Sequence, residues 1–298
     1  MKLSIAIVTW NRQKQLIEAI DSCIKCSLPQ ETEFIIIDNS STDNTDVAVR
    51  NYFQNISYPC IYDKMSYNIG AGQGRNVAFS KCRGEYVYFL DDDAYIDTKS
   101  NTNFFLKSIE LLDCHPQMMT LTTQIYDIAW KANRLSDKGP VIDSEIRKCY
   151  MVCGGSHFLR TSFFKGTEPY FPNKYGYEEL QPSLRVADKG FLNGYTSTVK
   201  VIHNPKINKW MFSDEKNLGI LINEISNQFA IKSSVYPKCV WFICWIAYML
   251  RKKRHLTPRF HTECDKKANE LIRQYNFGTR IKLRTVISLY LDFGFSIF

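Results

Sequence analysis

Along the first half of the chain, apolar positions alternate between two periods. Leu3–Val8, Glu33–Ile37, Cys60–Tyr62 and Tyr86–Leu90 are short runs rich in β-branched, aromatic and other apolar residues, as buried strands require. Between them, Gln13–Lys25, Asp43–Phe53 and Gly72–Lys81 carry apolar residues at helical spacing. This β-α-β-α order predicts an α/β domain, a mostly parallel sheet flanked by helices and joined by right-handed crossovers. Later strands are expected at Met118–Ile125, Val152–Leu159 and Thr196–Ile202, and a helix at Tyr177–Lys189 that stops at Gly190. Past about Pro205 the pattern becomes helical, with Leu218–Ile231 and the twelve uncharged residues Cys239–Leu250. The chain therefore divides into an α/β domain over 1–205 and a helical C-terminal extension over 206–298.

Composition narrows this picture only modestly. A chain of 298 residues with 45% hydrophobic and 14% aromatic content buries a sizeable core, which excludes disorder. Its formal charge of +8 favours an anionic partner such as a nucleotide sugar, nucleic acid or acidic lipid. No nucleic-acid reader motif is present, so that partner is set aside. The N-terminus enters a strand directly, with no secretory cleavage pattern, so the ten cysteines read as reduced thiols of a cytoplasmic protein. Cys23-x-x-Cys26 lies on a helical pattern, and Cys149 and Cys153 lack the second half-motif of a zinc site.

Cys239–Leu250 falls short of the roughly 20 apolar residues needed to span a bilayer. It runs into Arg251-Lys252-Lys253-Arg254-His255. A Trp-rich stretch beside basic residues fits a helix lying over 239–255 on an anionic membrane surface. It fits equally a helix packed on the α/β domain with a solvated basic end. Arg280–Leu291 has a similar mixture and would extend the same surface. The expected location is cytoplasmic, either free or peripheral on the inner face of the inner membrane.

The chemistry gathers at strand ends. Asp91, Asp92 and Asp93 follow the Tyr86–Leu90 strand, and three adjacent carboxylates repel unless a cation or donor array compensates them. Ligands of open α/β sheets bind outside the carboxyl ends of strands, where Mg²⁺ or Mn²⁺ is held by carboxylates and substrate phosphates. Thr9-Trp10-Asn11-Arg12 follows the first strand, with Thr9, Asn11 and Arg12 as candidate nucleotide-sugar contacts or simple helix caps. Asp38 ends the second strand and is placed to accept a hydrogen bond from a nucleobase. Asn68-Ile-Gly-Ala-Gly72-Gln-Gly-Arg75-Asn76 opens a helix with glycines that admit a ligand and with Arg75 as a phosphate-type fork.

Together the segments IVTWNR, IIIDNSSTDNT, NIGAGQGRN, FLDDDAY and YEELQPSLR resemble the family-2 glycosyltransferases, inverting enzymes of the GT-A, Rossmann-like fold. The resemblance covers roughly the first 205 residues. It implies that Asp38 contacts the base and Thr9 the nucleotide, and that Asp91 and Asp93 form the metal-and-ribose motif with Asp93 the direct ligand, Asp92 being a further nucleotide-sugar-binding candidate. It implies that His203 completes the metal or diphosphate contacts, and that Gly154, Gly155 and Ser156 shape the acceptor side. It assigns the general base to Glu179, with Glu178 as runner-up. Gln181-Pro182 departs from the family pattern there. Two adjacent residues on a helix point about 100° apart, so only one of the pair is expected to face the cleft.

The implied reaction moves a sugar from a nucleoside-diphosphate sugar, UDP favoured, to a hydroxyl of a saccharide or lipid-linked saccharide in bacterial surface polysaccharide or glycolipid synthesis. Single displacement needs no enzyme nucleophile, and no Ser-His-Asp arrangement is evident. A nucleotidyltransferase acting on sugar phosphates and a non-catalytic nucleotide-sugar-binding module are the alternatives. The first would carry a Gly-rich basic loop where TWNRQ stands, and the second has no use for Glu178-Glu179.

Overall fold

The computed structural model describes residues 1–99, 101–134, 139–205, 215–253, 257–275 and 279–298. The chain opens with β1 (Leu3–Thr9), α1 (Gln13–Ile24), β2 (Thr32–Asp38), α2 (Thr45–Phe53), β3 (Cys60–Lys64) and α3 (Ala71–Lys81). Then follow β4 (Tyr86–Leu90), β5 (Ala94–Ile96), α4 (Phe104–Cys114), β6 (Met118–Asp127), β7 (Ala132–Asn133) and β8 (Arg147–Lys148). After β9 (Ser156–Arg160) come α5 (Thr161–Phe164), α6 (Leu180–Asp188) and β10 (Leu192–His203). Four helices finish the chain: α7 (Glu215–Val235), α8 (Trp241–Lys253), α9 (Pro258–Gln274) and α10 (Leu283–Phe293).

The strands form one sheet in the order β3-β2-β1-β4-β9-β6-β10-β5. Pairing is parallel across β3-β2-β1-β4 and between β6 and β10. The inserted β9 runs antiparallel to both β4 and β6, and β5 runs antiparallel to β10. Side chains alternate faces along each strand. Leu3, Ile5, Ile7, Phe34, Ile36, Tyr86 and Tyr88 join α1, α2 and α4 in one core. Ala6, Ile35, Ile37, Val87 and Phe89 join Ala78 and Phe79 of α3 in the other. Strands buried on both faces explain the near-continuous apolar runs.

The structure corrects several expected boundaries. The helix expected over Tyr177–Lys189 starts at Leu180, because Tyr177 takes φ +64 and Glu178-Glu179 form a turn. The strand expected from Val152 begins at Ser156, after the Cys153-Gly154-Gly155 loop. β10 starts earlier than expected and carries a register irregularity between Thr196 and Lys200.

The extension packs on the α/β unit. Phe171, Leu180 and Leu184 share a core with Ala230 and Ile231 of α7, Cys244 and Ala247 of α8, Leu271 of α9, and Val286 and Leu289 of α10. α8 thus buries one face, while Trp241, Phe242, Trp245 and Leu250 remain exposed on the other. The solvated basic end is corrected. Lys252 is buried with its ammonium 2.6 Å from Asp265, and Arg251 donates to the Phe298 carbonyl. Arg254 and His255 lie outside the described residues, as does the expected boundary near 206. Among the described residues no helix is long and apolar enough to cross a membrane.

Candidate functional site

Strand register assembles the site. Parallel pairing sets Thr9 beside Asp38 at the carboxyl ends of β1 and β2, and Asp91–Asp93 leave the end of the neighbouring β4. β10 delivers His203 opposite Ala94 of β5 on one side and Asp127 of β6 on the other. Asp91, Asp93 and His203 consequently offer ligand atoms that all lie within 4.8 Å of one another. His203 Nε2 is 3.1 Å from Asp93 Oδ1, and its Nδ1 is 3.0 Å from Asp127 Oδ2. Two carboxylates and one imidazole, with the second ring nitrogen oriented by a buried acid, form a donor set suited to Mg²⁺ or Mn²⁺.

Thr9 and Arg12 belong to the same cluster through their bonds to its acids. The Thr9 hydroxyl donates to Asp92 Oδ2 at 2.7 Å. Arg12 Nη1 donates to Asp92 Oδ1 at 2.7 Å and to Asp93 Oδ2 at 2.6 Å, so it neutralises the acidic run. Burial pushes the Asp92 carboxyl up to about 6 against the pull of Arg12, with Asp93 adding to the rise. Burial acts the same way on Asp93, but the His203 hydrogen bond and Arg12 hold it below the ordinary carboxylate range.

Asn11, at φ +53, ties two loops together. Its Oδ1 accepts from the Thr42 N–H at 2.7 Å, and its own N–H donates to Ser41 Oγ at 2.8 Å. Asp38 is fully buried, accepting from the Ser41 N–H at 2.7 Å and from the Tyr62 hydroxyl. Asn68 Oδ1 accepts from the Gly70 N–H at 2.9 Å and shapes the turn into α3. Gly72 serves chain packing: a Cβ there would lie 1.9 Å from the Phe171 carbonyl oxygen.

The largest correction concerns Arg75. The expected phosphate fork is buried and committed to acids. Its Nη1 donates to Glu178 Oε1 at 2.5 Å and Glu179 Oε1 at 2.7 Å. Its Nη2 donates to Asp91 Oδ1 at 2.8 Å and to the Gly154 carbonyl at 3.3 Å. Because Glu178 and Glu179 lie in a turn rather than on a helix, both carboxylates face the same guanidinium, and the 100° argument does not apply. Gly154 crosses directly over them, since a Cβ there would meet Glu179 Oε1 at 2.2 Å. At Gly155 the nearest groups to such a Cβ are Ile125 at 3.2 Å and Asp91 Oδ2 at 3.4 Å. Ser156 turns inward: its hydroxyl is 2.7 Å from that of Tyr88 and 2.6 Å from that of Thr123, so it braces the sheet and does not face an acceptor.

Two site residues escaped the sequence reading. Asp127 ends β6 just as Asp91 follows β4, but the strand was expected to stop at Ile125. Arg134 donates from Nε to Asp127 Oδ2 at 3.1 Å, brings Nη2 within 3.0 Å of the His203 ring nitrogens, and lies over Trp130 at 5.5 Å. It comes from an irregular segment with no motif to mark it.

Comparison with known proteins agrees with this geometry. Residues 4–105 match the family described as Glycosyl transferase family 2. The chain is 33% identical over 177 residues to the poly(ribitol-phosphate) beta-N-acetylglucosaminyltransferase TarS of Staphylococcus aureus, a match over 58% of this chain and 30% of the relative. It therefore spans less than a third of that relative's length. The fold is similar to that of S. aureus TarS 1-349 in complex with UDP-GlcNAc, at TM-score 0.61 and 17% identity, covering 92% of this chain and 81% of that one. It is also similar to GalNAc-T7 with UDP, GalNAc and Mn²⁺, at TM-score 0.64 and 14% identity, covering 94% and 59%. These matches, with the sheet order, show a chain of GT-A fold whose residues 4–105 are similar to the family-2 glycosyltransferases.

Proposed function

We propose that the chain transfers a sugar from a UDP-sugar to an acceptor hydroxyl with inversion, in bacterial surface polysaccharide or glycolipid synthesis. The observation that carries this reading is the meeting, through Arg75, of the Asp91–Asp93–His203 cluster with Glu178 and Glu179. The printed names of relatives point to the same chemistry. TarS acts on poly(ribitol-phosphate), and its solved fragment holds UDP-GlcNAc.

In the proposed step Glu179 takes the proton of the acceptor hydroxyl as its oxygen bonds to the anomeric carbon and the bond from that carbon to the diphosphate breaks. Such proton transfer typically contributes ~10²–10⁴-fold. A divalent cation held by Asp91, Asp93 and His203 would neutralise charge on the departing diphosphate. Arg12 and Thr9 keep Asp92 and Asp93 aligned. The acceptor is a saccharide, or a saccharide or polyol carried on a lipid or an anionic polymer. The exposed aromatic face of α8, flanked by exposed Lys238 and Lys253, would rest on the cytoplasmic face of the membrane where lipid-linked acceptors are found.

A thermal-shift screen of UDP, GDP, dTDP and CMP with and without Mn²⁺ tests the donor site on wild type and Asp93→Ala. Near 100 times its dissociation constant a ligand adds ~2.7 kcal/mol. UDP with Mn²⁺ should stabilise the wild type and leave Asp93→Ala unmoved. No shift from any nucleotide would overturn the reading.

A further inference from the structure

Three carboxylates converge on one buried cation. Arg75 serves Glu178 and Glu179 from Nη1, and Asp91 and the Gly154 carbonyl from Nη2. The guanidinium is fixed from outside this set as well, lying 5.8 Å from the centre of the Tyr170 ring. Asp91 belongs to the cluster proposed for the donor, whereas Glu178 and Glu179 belong to the pair proposed for acceptor activation. We infer that Arg75 is a positioning residue that couples these two sides, holding Glu179 with one edge of its guanidinium and Asp91 with the other.

The physical basis is competition for a single charge. One guanidinium does not fully compensate three acids, so a stronger hold on one side weakens the hold on the other. A ligand that satisfies Asp91 leaves more of Arg75 to Glu178 and Glu179. By reciprocity, a change at Glu179 alters how firmly Arg75 retains Asp91. The titratable groups that act on Glu179 are Glu178, Arg75 and Asp91, and Glu179 acts in turn on Cys153 on the loop before β9, on Tyr170, and on Tyr177 at the head of the turn. Among the described groups, Arg75 is the one hydrogen-bonded to both Asp91 and Glu179.

This inference rests on the donor-site reading above, and a binding measurement separates the two. Mn²⁺-dependent UDP affinity is measured by calorimetry at about pH 8.5, where Glu179 is mostly ionised, on wild type, Glu179→Gln, Arg75→Met and the double variant. With one acid neutralised, Arg75 should hold Asp91 more firmly, so Glu179→Gln weakens binding by about three- to tenfold. In the Arg75→Met background the same change should alter affinity less than about twofold, the limit expected of uncoupled sites. An equal effect of Glu179→Gln in both backgrounds, or none in either, overturns the inference. Should circular dichroism show Arg75→Met unfolded, Arg75→Lys takes its place in the cycle, since one ammonium does not span both edges. Failure of the wild type to bind any nucleotide sinks the donor-site reading and this inference with it. Binding without Arg75-dependent coupling sinks the inference alone.

Discussion

Glu179 has its proton held by its surroundings. Burial and, after it, the adjacent Glu178 charge push its carboxyl up to about 8, with Arg75 pulling the other way. A base must be ionised to accept a proton, so kcat/KM for the acceptor should climb with pH along a limb near that value, and Glu179→Gln should lose ~10²–10⁴-fold. Initial rates between about pH 6 and pH 9 check both. Stability should run the opposite way. The unfolded carboxyl titrates near 4.5 and the native one near 8, so between them the native state binds the extra proton, and rising pH destabilises it. At this scale the sequence pointed to Asp91, Asp93 and His203, which the fold gathers into one cluster, because their residue types and strand-end positions carry the signal. It was misleading for Arg75 and Ser156. A guanidinium suits phosphate and carboxylate alike, and which partner it meets depends on a turn set by the positive φ of Tyr177.

α6 bears on the site although none of its own residues lies within it. Its first turn fixes Glu178 and Glu179, and Leu180 and Leu184 anchor it in the core shared with α7, α8, α9 and α10. Leu184→Ala should cost about 2–5 kcal/mol, as buried large-to-small changes do. It should also reduce turnover by loosening the turn above Gly154. Urea unfolding and initial rates test these separately, and unchanged stability would show that α6 is not anchored as described. The parallel half of the sheet was legible because β1, β2 and β3 are each followed by a helical period and β4 is a continuous apolar run. β9 was expected as a strand, but its antiparallel direction was not legible, since an insertion between parallel strands leaves no periodic mark of its own. α4 went unassigned because its apolar residues, Phe104, Phe105, Ile109, Leu111 and Leu112, crowd one stretch, and no surrounding strand spacing called for a helix there.

Across the whole molecule, charge and apolar surface are unevenly placed. α8 presents Trp241, Phe242, Trp245 and Leu250, and α10 presents Leu283, Ile287, Tyr290 and Leu291. Lys253, Lys282 and Arg284 are exposed along the same two helices. Replacing Trp241, Phe242 and Trp245 together by Ser should abolish sedimentation with vesicles containing anionic phospholipid while leaving UDP binding intact. Sedimentation unchanged by those replacements would exclude this face as the contact. Neutralising Arg251 and Lys252 is a poor probe of the same question, because it removes the Asp265 ion pair and the Phe298 contact that hold α8 in place. The sequence showed an apolar segment beside basic residues, but it did not show which of those charges were already used inside the fold.

Cys244 and Ala247 on the inward face of α8 press on the cluster that seats Leu180 and Leu184. An enzyme lying on lipid through Trp241 and Trp245 would therefore carry its catalytic turn at a fixed height above the bilayer. It would then sort acceptors by the length of the tether between their reactive hydroxyl and the lipid, as a ruler would, before any pocket had read their sugars.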